Sequence, residues 1–138
     1  MNSMKSIYLG KLSTNSTHLD SGATLITDAP KDNHGEGKSF SPTDLLCVSL
    51  ASCMLSIMGI AGRTHNINID GTIVNITKIM GTEPRRVIEI ILVFIFQKNI
   101  IYDEKQQAIL KHAALNCPVA KSLHPNLTQT VEFKFNGF

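Results

Sequence analysis

The chain has 138 residues, 43% of them hydrophobic and 17% charged, with a formal net charge of +2 from 13 basic and 11 acidic side chains. That length and composition describe one globular domain spanning residues 1–138 and exclude a disordered chain. The near balance of charge, without a basic run, sets nucleic acid aside as a partner, because phosphate binding shows as a clustered basic stripe.

The opening stretch MNSMKSIYLGKLSTNST has neither the apolar segment nor the cleavage pattern of a signal peptide, so a cytoplasmic protein is expected. In that compartment three cysteines are expected to be reduced, and either buried or reactive. KSIYLGKLST and HLDSGATLITDAP read as short strands, with turns at Gly10 and at Ser21–Gly22. PKDNHGEGKSF, residues 30 to 40, is a polar loop. Its GEGKS ends like a phosphate-binding loop but lacks the preceding apolar strand and the full glycine spacing, so it reads as a solvated turn.

SPTD then opens a helix. Ser41 is the N-cap, Pro42 the first helical residue, and Asp44 closes a capping box. The stretch LLCVSLASCMLSIMGIAG, residues 45 to 62, carries no charge. Its length touches the lower limit for a membrane span. Its Ser, Gly and Ala content and the close flanking charges Asp44 and Arg63 favour instead a soluble helix, apolar all round and buried, ending at Ala61–Gly62. No membrane partner is expected.

NINIDGTIVNITKIMGT and RRVIEIILVFIFQKN are β-branched and read as a strand pair joined by GTEP. The second is apolar from Ile88 to Phe96 except at Glu89, which suits a central strand. YDEKQQAILKHAALN is a helix capped near Asp103. A further helix starts at Cys117–Pro118 and ends by His124–Pro125. NLTQTVEFKFNGF alternates, with Leu127, Val131, Phe133 and Phe135 facing one way and Thr128, Thr130, Glu132 and Lys134 the other. Strands grouped rather than alternating with helices predict an α+β fold with antiparallel sheets.

Read from the residues alone, Cys53 and Cys47 are small core residues within a helix. They stand about 120° apart around it and need not share a site. Cys117 leaves two readings open. A residue before proline sits at a helix N-terminus, where converging N–H groups and the dipole favour a thiolate; a buried cysteine at a cap is the alternative. There is no C-x-x-C spacing and no histidine pair at i, i+4, so no metal site is expected, and no dinucleotide fingerprint, so no cofactor.

Taken together, FSPTDLLCVSLASCM, EPRRVIEIILVF and NCPVAKSL resemble, in order and spacing, the motifs of the OsmC/Ohr family of thiol-dependent hydroperoxide reductases. The resemblance implies an intertwined homodimer, with antiparallel sheets around long buried central helices. It implies Cys53 as the peroxidatic thiol, Cys117 as the resolving thiol, an organic hydroperoxide as substrate and an external dithiol as reductant. An apolar pocket lined by Leu50, Met54 and Ile57 would favour organic over hydrogen peroxide. The chain departs from the best-known branch of the family, which activates the peroxidatic cysteine with an arginine on an N-terminal strand and a glutamate near the helix start. Here no arginine precedes Arg63, and the acid is Asp44, one position from where that glutamate stands. Without a cation the Cys53 pKa is expected to stay near its ordinary value or to rise on burial. Arg86 and then His18 are the substitutes for the missing cation, each otherwise a surface or strand-end residue. The alternative function is a non-catalytic dimer of the same fold that binds small molecules and merely retains its cysteines.

Overall fold

Two residues in the left-handed region, Lys11 and Leu12 (φ 52° and 64°), reverse the chain after Gly10 and start an N-terminal meander. β1 (Met4–Gly10) pairs antiparallel with β2 (Ser13–His18), which pairs antiparallel with β3 (Thr24–Asp28), so β2 is central. The computed structural model describes residues 1–136, leaving only Gly137 and Phe138 of the C-terminal segment outside it, and divides into two compact units, Met1–Leu46 and Cys47–Phe138.

In the first unit, the loop after β3 contains a single 3₁₀ turn, Lys31–Asn33, and folds back on the strand. The buried Asp28 fixes it: its Oδ2 accepts the Lys38 N–H at 2.9 Å, and its own N–H donates to the Phe40 carbonyl at 3.0 Å. The loop delivers the chain to Ser41, where the expected capping box is present. Ser41 Oγ accepts the Asp44 N–H at 3.0 Å, and Asp44 Oδ2 accepts the Ser41 N–H at 2.9 Å. These bonds start α1 (Pro42–His65).

In the second unit, α1 buries one stripe rather than its whole circumference. Cys47, Leu50, Ala51, Met54, Met58 and Gly62 are buried, at the three- and four-residue spacing of a single helix face. The helix is long and apolar enough to cross a membrane by length and composition, with a mean hydropathy of 2.1 over its apolar window, of which 33% is buried within the chain. It does not stop at Gly62. It runs one turn further, to His65, and is closed by Asn66 at φ 56° with the Ile67 N–H donating to the Gly62 carbonyl at 2.7 Å. Gly62 is required for a different reason: a Cβ there would lie 2.5 Å from the Ile67 carbonyl oxygen as the chain turns back across the helix.

β4 (Ile73–Gly81) and β5 (Arg86–Ile95) form the expected antiparallel pair, and β5 is central as predicted. Ile90, Leu92 and Phe94 of β5 are fully buried. α2 (Glu104–Leu115) begins at a capping box between Asp103 and Gln106, and α3 (Pro118–Ser122) follows, ending two residues short of His124. β6 (Thr128–Lys134) then joins β5 in parallel, not antiparallel. The reason lies in the connection: two helices between β5 and β6 carry the chain back to the end from which β5 started, as a parallel pair demands. Stacked rings tie the two strands, Phe94 on Phe133 at 5.3 Å and Phe96 on Phe135 at 4.5 Å between centroids. Tyr102, buried against the same cluster, donates its hydroxyl to the Asn68 carbonyl at 2.7 Å.

Candidate functional site

Cys53 lies in the middle of α1, next to Met54 on the buried stripe, and is half-buried. Cys117 is the N-cap of α3, with Pro118 in the first helical position, as the Cys-Pro pair predicts. The two side chains are near enough to interact, Cys53 being one of the groups that raise the Cys117 pKa. None of the three cysteines is in a disulfide, and Cys47 is buried in the core.

The environment of Cys117 sets two effects against each other. Its sulfur accepts the Ala120 N–H at 3.4 Å, which favours the thiolate. Its side chain is fully buried, which disfavours any charge, and the interaction with Cys53 adds in the same direction. Burial is the largest effect, so the Cys117 thiol is pushed up from its ordinary value. The cap position alone points to a thiolate; in the folded chain desolvation outweighs it. α3 has only five residues, too short to present much of a dipole. Cys117 is therefore a neutral thiol at neutral pH.

α3 is held from outside as well as from within. Ser122 Oγ donates to the Pro118 carbonyl at 2.8 Å and the Lys121 N–H to the Cys117 carbonyl at 3.1 Å. Gln129 of β6 donates through Nε2 to the Ala120 carbonyl at 3.0 Å. The sequence pattern contained a signal for Gln129 that alternation alone passes over: it is the one polar residue on the β6 face that otherwise carries Leu127, Val131, Phe133 and Phe135.

The remaining predicted site residues have identified local contacts. The Asp44 carboxylate is in the capping box. His18 closes the turn after β2: its Nδ1 accepts the Ser21 N–H at 3.3 Å and lies 2.7 Å from Ser21 Oγ. Arg86, the first residue of β5, donates through Nη1 to the Val87 carbonyl at 3.2 Å. Of the apolar residues expected around Cys53, Leu50 and Met54 are fully buried in the core, because they belong to the inward stripe of α1. Ile57, one turn after Cys53, is half-buried. Among the described residues no group of three or more metal-ligating side chains converges.

Residues 35–132 match the family model of OsmC-like protein. The chain is 50% identical to a protein of Psychrobacter arcticus 273-4 named for osmotic stress induction and detoxification response; the alignment covers 96% of each chain, with a TM-score of 0.91. The same fold is found in an OsmC-like protein of Mycoplasma pneumoniae, at 19% identity, coverage of 96% and 94%, and a TM-score of 0.78. It recurs in the organic hydroperoxide resistance protein OhrB of Bacillus subtilis, at 19% identity, coverage of 95% and 96%, and a TM-score of 0.66. No curated protein sequence matches the chain.

Proposed function

The chain belongs to the OsmC-like protein family, and from that premise we propose that it is a thiol-dependent peroxidase that reduces organic hydroperoxides through Cys53 and Cys117. The observation that carries the reading is that the fold brings the side chains of Cys53 and Cys117, which come from distant parts of the sequence, near enough to interact. The stress and detoxification role in the name of the half-identical Psychrobacter protein supports it.

In this reading the Cys53 sulfur attacks the terminal oxygen of the hydroperoxide. The O–O bond breaks, the alkoxide leaves and takes a proton to become the alcohol, and Cys53 becomes a sulfenic acid. The Cys117 sulfur then attacks the Cys53 sulfur. The S–S bond forms, and the sulfenic hydroxyl leaves with the Cys117 proton as water. An external dithiol reduces the disulfide and restores both thiols. A burial-raised Cys117 suits the second role: it stays protonated and unreactive toward peroxide until a sulfenic acid stands next to it.

The reading includes a homodimer in the cytoplasm. α1 buries one stripe within its own chain, and Leu46, Val48, Leu55 and Ile57 on its other flanks are only half-buried. A second copy covering those flanks would remove a large apolar surface from water.

The test is stoichiometric. Fully reduced protein mixed with one equivalent of cumene hydroperoxide should yield one equivalent of alcohol and lose two of its three thiols. Full retention of hydroperoxide and of all three thiols would support the non-catalytic binder instead.

A further inference from the structure

We propose that Gln129 is a positioning residue for the resolving thiol, holding Cys117 against Cys53 through the Ala120 carbonyl. The inference rests on the peroxidase reading for its biological meaning, but its geometry and its test stand without it.

The first observation is a polar residue out of place. β6 alternates cleanly, and the face carrying Leu127, Val131, Phe133 and Phe135 also carries Gln129. Leu127 and Phe135 are buried, and the register partner of Gln129 on β5 is the fully buried Ile90. An amide on such a face costs stability unless it is hydrogen-bonded. Gln129 directs Nε2 to the carbonyl of Ala120, 3.0 Å away.

The second observation is what that carbonyl belongs to. A helix of five residues cannot sustain itself, since helix nucleation is costly and its last carbonyls have no partner within it. The Ala120 carbonyl is one of these. The same residue's N–H bonds the Cys117 sulfur at 3.4 Å. One residue is thus gripped on its carbonyl side by Gln129 of β6 and on its amide side by the resolving sulfur. β6 is a rigid anchor, joined in parallel to β5 from Glu89–Thr128 to Ile95–Lys134. Gln129 transmits that rigidity to α3, and α3 sets where the Cys117 sulfur stands.

The function of such an anchor is kinetic competition. After hydroperoxide attack, a sulfenic acid on Cys53 either condenses with Cys117 or meets a second hydroperoxide and becomes a sulfinic acid. Condensation wins in proportion to the local concentration of the Cys117 sulfur, and that concentration depends on positioning.

The test measures that local concentration without peroxide. The dithiol–disulfide equilibrium of the Cys53–Cys117 pair is titrated in a glutathione redox buffer, by mass spectrometry after acid quench, for four forms of the full chain. Gln129→Glu keeps the shape but replaces the donor with an acceptor; Gln129→Met keeps the length without a donor; Gln129→Lys restores a donor of sufficient reach. The effective concentration should fall about fivefold or more in the Glu and Met variants, the size of one lost hydrogen bond, and return toward the wild-type value in Lys. In a Cys117→Ser background, Gln129→Glu should leave the rate of sulfenic acid formation on Cys53 within about twofold. Equal effective concentrations in all four forms would overturn the proposal, as would a loss in Lys equal to that in Met. If the pair equilibrates and responds to Gln129 while hydroperoxide is not consumed, the peroxidase reading fails and the positioning role stands. If the wild-type pair never forms a disulfide, both fail.

Discussion

Cys53 and Cys117 interact through their side chains, one from the middle of a long apolar helix and the other from the cap of a short one. Cysteine Cα atoms must lie within about 7 Å for a disulfide to form without backbone movement, and the interaction of the two side chains favours this pairing over one with Cys47, which is buried in the core. Peptide mapping after one equivalent of organic hydroperoxide should therefore find Cys53 joined to Cys117 and Cys47 as a free thiol. A linkage through Cys47 would refute the assignment.

The two thiols should fail differently. Cys53→Ser should abolish hydroperoxide turnover, because the attacking atom is gone. Cys117→Ser should permit one round of attack and leave Cys53 as sulfenic acid, passing to sulfinic acid with excess oxidant. Intact-mass spectra that show the same oxygen uptake in both variants would contradict this.

Alkaline pH should weaken the reduced protein through Cys117. Burial raises the folded-state pKa of this thiol above its unfolded value. A group of that kind contributes stability that is fully present below the unfolded value, about 8.5 for cysteine, and lost as pH rises through the folded value. Urea midpoints of the reduced chain should fall above about pH 8.5, and Cys117→Ser should flatten that limb of the profile. An identical alkaline limb in both proteins would remove Cys117 as its source.

Gly62→Ala tests backbone packing against helix propensity. Alanine in a helix interior normally gains about 1 kcal/mol over glycine. Here its Cβ would meet the Ile67 carbonyl oxygen at 2.5 Å, so the last turn of α1 or the segment after it must move. The clash should dominate, with a net loss on the order of 2 kcal/mol in chemical denaturation. A gain would show that the turn after His65 gives way easily.

Asp44→Ala should cost about 1 kcal/mol, the usual value of an N-cap contact, since its carboxylate accepts the Ser41 N–H. If Asp44 is only a cap, the rate of the first oxidation of Cys53 will follow wild type once the protein is folded. A large drop in that rate at unchanged thermal stability would assign the carboxylate a part in the chemistry.

What was legible in the sequence was local or periodic. The box at Ser41 and the cap near Asp103 are encoded within four residues, and the β5 run announces a central strand by being apolar on both faces. Three features depend on what lies across the fold, and sequence pattern missed them or left them open for that reason. Gly62 obeys the rule for a helix-ending glycine, yet it serves the return of the chain at Ile67. Cys117 allowed both a helix-start thiolate and a buried cysteine at a cap, and burial across the fold decides for the second. The alternation of β6 fixes its faces but not its direction, which follows from the crossover that precedes it. The cysteine pair itself was read from a family resemblance; spacing along the chain does not bring two sulfurs together.

The crossover has a further consequence for the reduced and oxidised chains as polymers. Between α1 and α3 lie β4, β5 and α2, so a bond from Cys53 to Cys117 encloses most of the second unit in a covalent ring. Closing a loop of that size removes configurational freedom from the unfolded chain worth about 4 kcal/mol. Melting both redox forms side by side would read the difference. A two-cysteine cycle on this scaffold would then alternate between an open thread and a closed ring, and each turnover would pass through a state in which the chain resists unfolding more strongly than in the state that awaits substrate.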